Sequence, residues 1–218
     1  IFPVIDYDFD ALSDRFREMA YLNKGVKITF TSPYHSERGR QGECEQTFRF
    51  DGGIASLVSH INLGKETIQS EIFYTQRQVD DTDIEVALQY NTGSSESIHT
   101  FANCINTSDG GSHLTGFRTA LTRGINDYAR KQKFLKDDQA NFTGEDVREG
   151  LSAVISVKLT APQFEGQTKG RLGNPEVKSQ VENVVSRDLL TYLEEHPEEA
   201  RRIIDKCITT ARAREAAR

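Results

Sequence analysis

LSAVISVKL, residues 151–159, reads as a β-strand: Ala153, Ile155, Val157 and Leu159 fall on one side of a two-residue repeat. Its flanks carry signals of other kinds. Thr143-Gly144-Glu145-Asp146 has the pattern of a capping box that opens a short helix ahead of the strand, and Pro162 ends the strand. The polar stretch FEGQTKGRLGN (164–174) follows. Asn174-Pro175 is then an N-cap and first-turn pair, starting a helix with Val177, Val181 and Val184 on one face. His196-Pro197 breaks that helix, and PEEARRIIDKCITTARAREAAR (197–218) reads as a last, charged helix without a clear stop.

Upstream, the spacing of Leu114, Phe117, Leu121, Ile125 and Tyr128 predicts a long helix from Leu114 to about Phe134, entered through the glycine loop TSDGGSH (107–113). Three strands are predicted before it, EIFYTQ (71–76), DIEVALQYN (83–91) and ESIHTFANCI (96–105). Their short connections, VDDT and TGSS, predict an antiparallel meander. At the front, DFDALSDRFREMAYLNKG (8–25) has helical periodicity. VKITFTS (26–32) and QTFRF (46–50) read as strands separated by a solvated loop or hairpin tip over 32–45, and IASLVSHINLG (54–64) as a short helix ended by Gly64. Strands and helices are mixed without strict alternation or repeat. The fold class is α+β, one sheet covered by helices on one face.

The 218 residues suffice for a sizeable core, as one domain with an extension or two small domains. With 27 basic and 33 acidic residues the net charge is −6, which disfavours indiscriminate nucleic-acid binding but permits a local basic face. Three dispersed cysteines give no disulfide framework and no zinc knuckle, so a reducing compartment is expected. No apolar run is long enough to span a membrane, and no signal-peptide pattern is found. The start at Ile1 rather than Met suggests a piece of a longer polypeptide.

Two stretches carry possible chemistry. Opposite the apolar arc of the long helix lie Arg118, Thr119, Thr122, Arg123, Asn126, Arg130 and Lys133, with no acid among them. This is either a plain solvated face or one that meets phosphates, which would give affinity without sequence readout. In FEGQTKGRLGN, Gly166 and Gly170 bracket Gln167-Thr168-Lys169. The spacing is not that of a P-loop, yet the segment leads from a strand to a helix N-terminus, where anions are favoured. Lys169 is thus either an ordinary exposed lysine or an ammonium offered to a phosphate. The five histidines are scattered and Asp80, Asp81 and Asp83 fit a turn, so no metal site is assigned; no complete catalytic constellation is present.

LTGFRTALTRGINDYARK, TGEDVREGLSAVISVKL and PQFEGQTKGRLGNPEVKSQVE, together with DGGIASLVSHIN, IEVALQYN and DGGSHLTGF, closely resemble the B subunits of bacterial DNA gyrases, which are type IIA DNA topoisomerases. The resemblance covers essentially the whole chain. It implies the transducer domain over 1–173, a sheet like domain 2 of ribosomal protein S5 with a left-handed βαβ crossover, and a helical extension over 174–218. In the family this region follows a GHKL ATP-binding domain and precedes a metal-binding cleavage domain, neither of which is in this chain. The resemblance further implies that Gln167, Thr168 and Lys169 belong to the family's QTK loop, with Gln167 and Lys169 reaching the ATP γ-phosphate in catalysis. It implies that Arg118, and more weakly Arg123, faces DNA. The same resemblance implies ATP with Mg2+ held mainly elsewhere, double-stranded DNA, and gyrase A in an A2B2 heterotetramer. Self-association of gyrase B on ATP binding and a cytoplasmic setting follow from it too. On its own this stretch is expected neither to bind ATP tightly nor to hydrolyse it. The alternatives are the ATPase component of topoisomerase IV, a non-enzymatic S5-like nucleic-acid-binding module, or another GHKL ATPase such as a mismatch-repair protein or chaperone.

Overall fold

The computed structural model describes residues 7–37 and 44–217 and divides into two compact units, 1–57 and 58–218. In the first, α1 (Phe9–Leu22) is opened by Asp8, whose carboxylate accepts from the Asp10 and Ala11 N–H groups. β1 (Lys27–Thr31) pairs antiparallel with β2 (Glu45–Arg49), Ile28 opposite Phe48. Phe9 stacks on Phe30 at 4.9 Å and Tyr21 on Phe50 at 3.6 Å, which docks the helix on the hairpin. A helical turn, α2 (Pro33–Glu37), occupies the start of the stretch expected to be a loop; positions 38–43 of that stretch lie outside the described residues. α3 (Ile54–Ile61) crosses the boundary between the units.

The second unit holds a five-stranded mixed sheet. β3 (Phe73–Val79) and β4 (Thr82–Tyr90) form a hairpin closed at Asp80, whose φ is 50°. β5 (Ser97–Ala102) and β6 (Ile105–Asn106) form another, closed by Asn103 and Cys104, both at positive φ. The predicted strand 96–105 is therefore two strands. The side chain of Asn103 then continues the ladder, accepting from Leu159 N at 2.8 Å and donating to Leu159 O at 2.9 Å. α4 (Ser112–Lys131) and the short, capping-box-opened α5 (Gly144–Arg148) lead to β7 (Leu151–Leu159).

β7 corrects the predicted meander. The strand order is β3-β4-β7-β5-β6, so β7 lies between β4 and β5. It runs antiparallel to β4, with Ile155 opposite Val86, and parallel to β5, with Ile155 opposite Thr100. Parallel neighbours need a crossover, and α4 supplies it. Every β7 residue except Lys158 is buried, as befits a strand paired on both edges and covered by helices. Short spacing between the 83–91 and 96–105 runs does not reveal a strand inserted from about fifty residues away.

A small hairpin, β8 (Phe164–Glu165) with β9 (Arg171–Leu172), precedes α6 (Pro175–Glu195) and α7 (Pro197–Ala216). α4 and α6 pack side by side, and Phe117, Leu121, Ile125, Val177, Val181 and Val185 share one core with Val86, Leu88, Ile155 and Val157 of the sheet. Each such buried side chain contributes roughly 1.5–3 kcal/mol. The break at His196 is braced: the Tyr192 hydroxyl donates to Glu199 at 2.6 Å, and Ser70 N donates to the same carboxylate at 2.9 Å. The last turn of α7 is held by Arg214, which donates twice to Asp146, at 2.8 and 3.0 Å.

The two helices come into backbone contact at Gly116, where an added Cβ would lie 2.3 Å from the Lys178 carbonyl oxygen. Gly116→Ala is expected to force α4 and α6 apart and to destabilise the fold by about 1–3 kcal/mol, an overpacking cost. The urea midpoint of unfolding checks it: an unchanged midpoint would show that the two backbones do not meet there.

Candidate functional site

Gln167, Thr168 and Lys169 lie together at the tip of the β8–β9 hairpin, all exposed. The tip is a tight turn from Gly166, at φ 75°, to Lys169, whose φ of 55° is left-handed, and Lys169 N donates to Gly166 O at 3.3 Å. A left-handed lysine costs of order 1 kcal/mol or more, and such residues gather where geometry serves a purpose. Its ammonium lies 5.7 Å from the centre of the Phe164 ring, and among the described residues no carboxylate pairs with it. The exposed turn thus presents an amide, a hydroxyl and an ammonium on successive residues.

The base of the hairpin is tied by main-chain bonds. Asp109 N donates to Gly170 O at 2.9 Å, Leu172 N donates to Gly110 O at 3.0 Å, and Gly111 bridges Leu172 in parallel. Asp109 to Gly111 thus form a third rung beside the hairpin, and α4 begins at the next residue. Gly111 has φ 132°, and an added Cβ would lie 2.3 Å from the Leu172 oxygen. His113, in the first turn of α4, is fully buried, and its Nε2 is 3.0 Å from Thr107 Oγ1. Burial pulls its pKa down to about 4, so it is neutral near pH 7. On the other side Gly173 N donates to Gln163 O at 2.7 Å, and Asn174 leads into α6. The expected approach of the loop to a helix N-terminus takes a different form: β9 separates the tip from α6, and Asn174 makes no side-chain cap.

The outer face of α4 is less free than its sequence suggests. Arg118 pairs with Glu96 at 3.0 Å, and the other oxygen of Glu96 takes Arg148 at 2.7 Å. Arg123 pairs with Glu182 of α6 at 3.0 Å. Arg130 closes the loop after the helix, bonding Asn141, Lys136 O and Gln139 O. Asn126 is buried and bonds Phe142 through both its N–H and its oxygen. What stays accessible is a shallow groove along Arg118, Thr119, Thr122 and Arg123, with Asp127 at its edge. The hairpin and this groove are separate features, the first beside Asp109 to Gly111 ahead of α4 and the second along α4 itself. Glu96 and Glu182 come from other elements and so are not visible in the helix sequence, and the face expected to be free of acid also carries the exposed Asp127 of α4 at the groove. The DGG and NP pairs flanking the two helices are the only local signs of the hairpin's anchorage.

No group of three or more His, Cys, Asp or Glu side chains is placed to hold a metal among the described residues, and no helix there is long and apolar enough to cross a membrane. Compared with known proteins, the family described as DNA gyrase B matches residues 53–218. The chain belongs to the DNA gyrase B family. It is 50% identical over its whole length to the DNA gyrase B subunit of Clostridium acetobutylicum, of which it covers 33%. Among solved structures it is similar to the 43K ATPase domain of Thermus thermophilus gyrase B in complex with an aminocoumarin, at TM-score 0.85 and 38% identity, covering all of this chain and 57% of that one. It is also similar to a Francisella tularensis topoisomerase IV ATP-binding domain in complex with a small-molecule inhibitor, at TM-score 0.80 and 27% identity, over 98% of this chain and 56% of that one. The chain spans about a third of the length of the curated gyrase B relatives it matches.

Because Gly111 faces backbone and not a movable side chain, Gly111→Ala cannot be relieved locally. It is expected to cost about 2–4 kcal/mol and to raise amide exchange at Asp109 and Leu172 above that of the α4 interior. Unchanged exchange at both amides would mean that the third rung does not hold the hairpin.

Proposed function

We propose that this chain is the transducer of a gyrase-type ATPase, coupling the state of a bound ATP to DNA strand passage. The observation that carries the reading is Lys169: an exposed ammonium without a carboxylate partner among the described residues, on a hairpin tied through main-chain bonds to the start of α4. In this reading Gln167, Thr168 and Lys169 meet the γ-phosphate of ATP held with Mg2+ by a separate domain. ATP supplies the phosphoryl group whose charge changes on hydrolysis. The Lys169 ammonium stabilises negative charge on the terminal phosphate, most strongly as charge develops, and the Gln167 amide orients it. A contact present with the γ-phosphate and absent without it biases two positions of the hairpin, as a switch requires.

The same reading places DNA against the groove of α4, with Arg118 as the principal phosphate contact and Arg123 as a second. Arg118 would exchange an exposed carboxylate, Glu96, and Arg123 a half-buried one, Glu182, for a DNA phosphate. The helices from Asn174 onward, over 174–218, extend the transducer and carry its displacement toward the cleavage domains. The working assembly is two such chains with two gyrase A chains, in the cytoplasm, drawn together as ATP binds.

Lys169→Ala in the full-length protein is expected to lower ATP turnover on the order of 10²-fold while ATP binding stays within a few-fold; near-normal turnover would sink the role of Lys169. Arg118→Gln is expected to lower the salt slope of DNA binding by about 1 and to reduce supercoiling per ATP hydrolysed. An unaltered slope with normal supercoiling would remove Arg118 from the DNA path.

A further inference from the structure

Asn174 stands immediately before α6, where an asparagine ordinarily bonds the first free N–H groups of its helix. It makes no such cap. Its Oδ1 accepts from Gln163 N at 2.7 Å, and its Nδ2 donates to Ala161 O at 3.2 Å and to Glu176 Oε1 at 2.8 Å. The side chain is buried, at 2% exposure, and its acceptor and both donors are in use. Ala161 and Asn174 are thirteen positions apart, with Gln167 to Lys169 at the far end of the segment between them. One carboxamide therefore closes the base of the loop that carries Lys169 and fastens it to the first turn of α6 through Glu176. The ties on the opposite side of the hairpin, through Gly110 and Gly111, are main-chain bonds and lead to α4. Asn174 thus supplies a polar side-chain tie between the base of the hairpin and α6.

We infer that Asn174 is a positioning residue for Lys169: it sets where the ammonium stands relative to α6 and delivers a displacement of the hairpin to that helix. The inference rests on the phosphate-contact reading of Lys169 given above. A residue of purely structural value would lower stability and leave the contribution of Lys169 intact. A residue acting through Lys169 loses its effect on turnover once Lys169 is gone, and this difference can be measured.

The test uses the full-length protein in complex with gyrase A, with Asn174→Ala and Asn174→Asp made singly and combined with Lys169→Ala. Asn174→Asp keeps an acceptor for Gln163 N–H but gives up the donors and sets a carboxylate beside Glu176. Each single variant is expected to lower maximal ATP turnover by roughly 10-fold to 100-fold, the scale of a misplaced catalytic group, with KM for ATP shifted by no more than about twofold. In the Lys169→Ala background neither is expected to lower turnover further. An equal proportional loss in both backgrounds overturns the proposal, as does normal turnover of a folded Asn174 variant. Failure of both variants to fold would assign Asn174 to stability alone and overturn it too. Normal turnover of Lys169→Ala by itself is a separate outcome, which removes the phosphate-contact reading on which the inference stands.

Discussion

The pairing of β7 on both of its edges is the constraint on which the second unit depends. One edge meets β4 along nine residues and the other meets β5, while Ala153, Ile155 and Val157 enter the core beneath α4 and α6. A strand with no free edge can leave the sheet only at its ends. At the end marked by Leu159, Asn103 takes up the last main-chain groups, and the chain passes Pro162 into the hairpin. The position of Lys169 therefore follows from the strand that the apolar run 151–159 builds. The parallel step from β5 to β7 obliges α4 to cross the sheet, which brings the Gly110-Gly111 turn at its start alongside the same hairpin.

Local patterns are legible in the sequence where local physics decides. Phe117, Leu121, Ile125 and Tyr128 are buried on α4, Val177, Val181 and Val184 on α6, and the Thr143 capping box forms with Asp146 as its reciprocal partner. The strand order is not legible, because β7 is brought beside β4 by burial and not by proximity in sequence. Asn103-Cys104 reads as part of a strand, although both residues turn the chain at positive φ. The basic face of α4 is legible as a run of cations but not as a set of ion pairs, since Glu96 and Glu182 lie outside the helix. For Lys169 the local chemistry leaves two readings open. The long matching blocks favour one of them, and the structure adds what neither could supply, the fixed base beneath an exposed tip.

Two kinds of arginine pair differ in how deeply their carboxylates are buried. Arg118 and Glu96 are each about 39% exposed, and such pairs contribute roughly 1 kcal/mol or less. An incoming phosphate could displace Glu96 at little cost, and Arg148 would keep the released carboxylate paired. Asp146 is 1% exposed and takes both bonds of its arginine, so removing Arg214 would strand a buried charge at a cost of about 3–5 kcal/mol. Burial alone would raise the Asp146 carboxyl, but hydrogen bonds from Arg214 and Thr143 outweigh it and hold it below the usual range. A depressed folded value means that the pair's stabilisation is full above the unfolded carboxylate range and fades as pH falls through the folded one. The first pair is exposed and weakly held, the second buried and strongly held.

The two ties of the hairpin differ in what they can transmit. At Gly111 the bond is main chain to main chain, with no room for a side chain, so hairpin and α4 cannot separate without breaking sheet-like pairing. At Asn174 the bond runs through one carboxamide that gives up its own helix cap to make it. A sensor that reads a phosphate held by another domain gains nothing from a flexible stalk, because a contact that bends its own support does no work on what lies behind it. The left-handed Lys169 sits exposed at the tip of a short hairpin whose base is hydrogen-bonded next to the starts of two long helices. Under the proposed function, motion imposed at Lys169 would pass to α4 and α6 together. Gly116 joins those helices at a second point, so they would turn as a pair rather than shear past each other.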